Sequence, residues 1–142
     1  MARYLTQDLN VDLGDEMPED TTLNMLQFRE RQTTLVIARS ALPEHQTLDE
    51  AYAFQLNLLH KRLAALTCTD PVTVFIGKDK PVEGREAVLQ FTHANKPMYQ
   101  LQLACQLPGQ QRLLVLNYSN HSALSEADIG HWRAIKDSLH FA

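Results

Sequence analysis

The chain has 142 residues, 44% hydrophobic and 21% charged, and its 13 Lys and Arg against 17 Asp and Glu leave a net charge of −4. This is the balance of one globular domain, and at this length folding buries roughly two-thirds of the unfolded surface. No basic stripe offers a footprint for nucleic acid, and apolar runs such as Leu-Leu-Val-Leu at 113–116 are far short of a membrane span.

The opening stretch, MARYLTQDLNVDLGDEMPED, lacks an apolar core and turns acidic at once, so no signal peptide is expected. Its acidic residues Asp12, Asp15, Glu16, Glu19 and Asp20 lack the glycine and terminal glutamate of a calcium loop and read as a solvated turn region. Cys68 and Cys105 form neither a CxxC pair nor a secreted framework. The expectation is a reducing, cytoplasmic location with no stable membrane insertion.

A period of two marks candidate strands at 8–13, 21–28 and 33–39. A helix is predicted over 47–66, where Leu48, Tyr52, Leu56, Leu59, Leu63 and Leu66 form one apolar stripe and Thr47 with Glu50 reads as a capping box. Strands are predicted again at 71–77, 85–94, 98–106 and 112–119, the last three as a meander joined at HANKP and LPGQQ. A second helix follows, with Ser125 as N-cap and Ile129, Trp132, Ile135 and Leu139 as its buried stripe. The whole chain, 1–142, reads as a single α+β domain with an antiparallel sheet of six or seven strands and two helices packed on it.

Catalytic signatures are absent. His45, His60, His93, His121, His131 and His140 show neither HxH nor HExxH spacing, and no P-loop, GxSxG or GxGxxG occurs among five glycines. The expectation is a protein that is not an enzyme and has no metal or cofactor.

One strand stands out. In KPMYQLQLACQLPG, Tyr99, Leu101, Leu103 and Cys105 alternate against Gln100, Gln102, Ala104 and Gln106. The first set is expected on the helix-covered face with Ala87, Leu89, Phe91, Leu114, Leu116 and Tyr118. The other face would then carry Gln100, Gln102 and Ala104 with Val88, Gln90, Thr92, Val115 and Asn117, apolar and amide groups almost without formal charge. Such a surface suits an apolar partner. The bland readings are an edge strand whose glutamines face water, and ordinary core positions for Leu23 and Met25.

The order of segments resembles the Eag-type chaperones of type VI secretion effectors, in the DcrB-like branch of the PsbP-like fold. Four places carry the resemblance: Pro18, Asp20, Thr22 and Asn24 in MPEDTTLNMLQF; Arg39, Leu42, Pro43, Leu48, Glu50, Tyr52, Gln55 and Leu56 in TLVIARSALPEHQTLDEAYAFQL; Gly84, Arg85 and Ala87 in VEGREAVLQF; and the glutamine strand itself. One departure is that Pro18-Glu19-Asp20 has no room for the tryptophan that the family often carries there. The resemblance implies an α/β/α sandwich and a cytoplasmic bacterial homodimer. Such a dimer shields the N-terminal transmembrane helices of a cognate membrane-penetrating effector and promotes its loading onto the secretion spike. It also implies a client-binding groove, expected at Leu23, Met25, Val36, Ala38, Val88, Gln90, Gln100 and Gln102. Trp132 is expected as a core anchor, and Arg39 either as partner of acidic groups near the first helix or as a solvated strand end. The alternatives are an interaction domain of the same fold with a soluble partner, and a small-molecule-binding protein.

Overall fold

A computed structural model describes residues 3–5, 8–16, 18 and 22–141, with residues 3–5 described as backbone only. A short pair, β1 (Arg3–Leu5) and β2 (Asn10–Asp12), precedes the main sheet. That sheet has seven antiparallel strands: β3 (Asn24–Phe28), β4 (Thr33–Ala41), β5 (Ala64–Cys68), β6 (Val72–Ile76), β7 (Val82–His93), β8 (Lys96–Gln106) and β9 (Arg112–Asn120). The order is β3-β4-β9-β8-β7-β5, with β6 sharing the free edge of β7. Two helices, α1 (Leu48–Arg62) and α2 (Glu126–Asp137), complete an α+β fold.

Both helices begin where the sequence offers caps. Thr47 and Glu50 close one capping box, and Ser125 and Asp128 close another. The predicted first helix is too long, however. It stops at Leu63, whose extended backbone caps it, and residues 64–68 run as β5 against β7. Helix propensity in Ala64-Ala65-Leu66 is a weak preference, and pairing of Thr67 and Cys68 with Gln90 and Leu89 overrides it.

The helices lie on opposite faces. Tyr52 of α1 packs with Ala87, Leu89, Phe91, Ala104 and Leu113. Trp132 of α2 packs with Leu101, Leu103, Cys105, Leu114, Leu116 and Tyr118. Trp132 is 2% exposed and lies in this second core. Ile129, expected beside it, is 41% exposed, because Asp128 takes the buried position in closing the capping box.

The expected grouping of β7 with β8 is also corrected. The turn between them has two residues, Ala94 and Asn95, at φ 52° and 64°. That is the positive-φ pair favoured in two-residue hairpins because its twist matches the strands. It sets Ala87 opposite Gln102 and Leu89 opposite Gln100. Ala87, Leu89 and Phe91 therefore share the glutamine face, while Val88 sits opposite Leu101 and Gln90 opposite Tyr99 on the α2 face.

Candidate functional site

Only half of the glutamine face is covered. α1 lies over β5, β7, β8 and Leu113 of β9, and among the described residues none of β3 or β4 joins the core beneath it. The register lines up Met25, Val36, Asn117, Gln102 and Ala87 across the sheet, with Ala38 beside Val115 in the next row. Gln27, Thr34 and Ser119 form the row on the other side. No side chain in the β3, β4 and β9 positions of these rows carries a charge.

Apolar surface is left open here. Met25 is 59% exposed, and Leu23, one residue before β3, is 56% exposed. Neither is a core residue in this chain. At the end of β4, α1 presents Phe54 at 57% exposure, in a cleft of about 230 Å3 bounded by Ser40, Ala41 and Pro43 on one side and Ala51 and Gln55 on the other. Phe54 lies outside the predicted stripe, and an aromatic off the stripe was the sequence signal for it.

The glutamines answer to the protein itself. Gln102 is 4% exposed, and its Oε1 accepts from the Tyr52 hydroxyl at 2.8 Å. Its Nε2 donates to Asn117 Oδ1 at 2.8 Å, and Gln100 Nε2 donates to the same oxygen at 3.0 Å. A neutral amide ladder thus runs from under α1 toward the open half. A formal charge at Gln102 would be desolvated without a partner, at a cost of several kcal/mol. Burial acts in the same sense on Tyr52, pushing its phenol well above the ordinary range and keeping it neutral. Sequence reasoning missed Tyr52 as the glutamine's partner, because only the fold brings residues 52 and 102 together.

The expected groove residues therefore separate. Met25, Val36, Ala38, Gln100 and Gln102 share one face, with Gln102 beneath its covered half. Val88 and Gln90 stand on the opposite face, where Val88, 49% exposed, exchanges backbone and hydroxyl bonds with Thr69. The two-residue turn at Ala94 and Asn95 puts them there.

Arg39 has neither expected role. Its Nη1 donates to Asn24 Oδ1 at 2.8 Å and to the Thr22 carbonyl at 3.3 Å, tying down the start of the strand that bears Met25. The acidic group near the helix start, Asp49, is held instead by Arg85 at 2.6 Å, whose hydrogen bond lowers the carboxyl below its ordinary range. Thr22 and Asn24 of the first motif meet at Arg39, whereas Glu19 and Asp20 lie outside the described residues. Among the described residues no three His, Cys, Asp or Glu side chains cluster as a metal site would require, and no helix is long and apolar enough to cross a membrane.

The profile of the DcrB family matches residues 10–138. The chain belongs to the DcrB family. A crystal structure from Pseudomonas aeruginosa, of a protein of unknown function labelled a candidate regulator, is similar at TM-score 0.72 and 15% identity, covering 100% of this chain and 97% of that one. At that identity the likeness concerns the fold alone. No curated protein matches the chain at a significant level.

Proposed function

We propose that the half-open face of the sheet holds an apolar helix of a client protein, in the manner of the Eag-type chaperones that this DcrB-family chain resembles. The observation that carries the reading is the uncharged surface of β3 and β4, where Leu23 and Met25 are more than half exposed beside Val36 and Ala38, and Phe54 of α1 is equally exposed at the end of β4, by Ser40 and Pro43. The client is the N-terminal transmembrane region of a secreted effector, held out of water before it is loaded onto the secretion spike. The chaperone works in the cytoplasm as a homodimer, whose second copy would close the groove on its open side. Its work is binding, with no chemical step.

The physics of the fit is direct. Burying a Met or Leu side chain against a client stabilises the complex by roughly 1.5–3 kcal/mol each. Neutral amides and hydroxyls at the margin, such as Gln27, Thr34 and Ser119, can meet backbone polar groups where a membrane helix is packed with small residues.

Co-purification of the chain with an effector's N-terminal region tests the reading. Met25→Asp and Val36→Asp are expected to lose the client, and Val88→Asp, on the other face, to retain it. Equal retention by all three variants would contradict it.

A further inference from the structure

The far edge of the sheet carries a second surface, independent of the groove. Among the described residues β6 pairs with β7 along one side only, so its other side is an open strand edge. Proteins usually blunt such edges with lysine, proline or a bulge. The run Val-Thr-Val-Phe-Ile at 72–76 contains none of these, and Val72 and Phe75 are 56% and 55% exposed.

A cleft of about 340 Å3 runs beside this edge, between residues 73–76 and the side chains of Lys80, Arg133, Lys136 and Asp137. Lys136 is engaged with Glu86 at 2.7 Å, an oxygen that the Trp132 indole N–H also reaches. Lys80 and Arg133 then set the charge of the cleft against Asp137 alone. Two backbone hydrogen bonds tie the end of β6 to the end of α2. Gly77 donates to the Lys136 carbonyl at 2.9 Å and Lys78 to the Leu139 carbonyl at 3.1 Å. Gly77 has φ +89°, and a Cβ there would meet the Leu139 oxygen at 3.2 Å, so this close approach requires glycine.

We propose that β6 and the cationic side of α2 form a docking groove for an extended segment of a partner protein with acidic residues at alternate positions. An open strand edge beside a helix is the setting in which peptides add as an extra strand, with backbone bonds supplying affinity and alternate side chains supplying specificity. Five residues of β6 offer about 17 Å of ladder. On the α2 face, beside Val74, the added strand meets Arg133 and Lys80. On the other face it meets Phe75, whose cross-strand neighbour is Glu83, so acidic residues are favoured on the first face and apolar ones on the second.

The test is a nitrogen-15 NMR titration of the full chain with a capped hexapeptide of alternating Asp and Val, and with its Lys and Val counterpart. The acidic peptide is expected to shift the amides of Thr73, Phe75 and Arg133 saturably, and to bind about tenfold more weakly to the doubly substituted Lys80→Glu, Arg133→Glu chain and at high salt. Met25→Asp should leave this binding unchanged. The proposal is overturned if millimolar acidic peptide moves none of these amides, if the lysine peptide binds as well, or if the shifts appear on β3. It is overturned equally if the Thr73 and Phe75 amides respond to protein concentration alone, which would assign the edge to a second copy of the chain.

Discussion

At the scale of single residues, the amide ladder decides what can be changed without losing the fold. Tyr52→Phe leaves Gln102 Oε1 without its donor in a buried position. The expected cost is about 1–3 kcal/mol, read as a lower urea midpoint at an unchanged slope. A charge placed at Gln102 tests stability before it tests binding, whereas one at Met25 leaves the core intact. Trp132→Ala removes a side chain that is 2% exposed and should cost about 3–5 kcal/mol by thermal or chemical unfolding. Cys105, fully buried, has its thiol pushed up to about 11 by desolvation. At pH 8 it should stay unlabelled by a thiol reagent in the folded chain and react once the chain is unfolded. Rapid labelling of Cys105 in the native state would show that the β8–β9 core opens readily.

At the scale of elements, what the sequence discloses depends on how local the cause is. Capping boxes at Thr47 and Ser125 lie within one turn of helix and were legible. The end of α1 was not, because β5 exists only through pairing with β7, some 20 residues away. The face of β7 lay between these cases. Both faces of this strand carry apolar residues, so alternation alone does not choose between them. Counting residues in the turn would have chosen, since two residues between His93 and Lys96 set odd positions of β7 against even positions of β8. That one parity moved Val88 and Gln90 out of the site, while the rows through Met25, Val36 and Ala38 needed only alternation to place them.

The packing of α2 against the β3–β4 hairpin carries a pH signature. His131 meets the Phe28 ring edge-on at 4.7 Å between centroids, and its Nδ1 lies 2.8 Å from the Tyr118 hydroxyl. Desolvation, then the nearby Arg31, lowers its pKa from the ordinary 6.5, with Asp128 acting in the opposite sense. The unfolded chain therefore takes up this proton first as pH falls. Stability should be intact above pH 6.5 and decline as pH drops through it toward the lowered folded value. His131→Gln should flatten that step in urea midpoints measured between neutral and mildly acid pH. Asp49, held low by Arg85, adds a separate loss only around and below its ordinary 3.8.

At the scale of the whole molecule, the two helices do unequal work. α2 seals its side of the sheet through a core drawn from β4, β6, β8 and β9. α1 covers only part of the other face, packing on β5, β7, β8 and Leu113 of β9 while no residue of β3 or β4 joins its core. On the proposed reading, α1 also bounds an opening whose floor on β3 and β4 is uncharged. Composition and alternation indicated a neutral sheet face, but not that half of it would be roofed, because the roof depends on where α1 docks. The opening also explains why Arg39 holds the start of β3. β3, the outer wall of the proposed groove, is an edge strand, and the hydrogen bonds to Asn24 and Thr22 tie down its start.

The most direct measurement is co-expression of the chain with the hydrophobic N-terminal region of an effector, purification without detergent, and determination of the mass of what elutes. A soluble complex of two copies of this chain with one client region is expected, and it should be lost on Met25→Asp. Precipitation of the client in the presence of the chain, or a soluble client that elutes without it, would contradict the account.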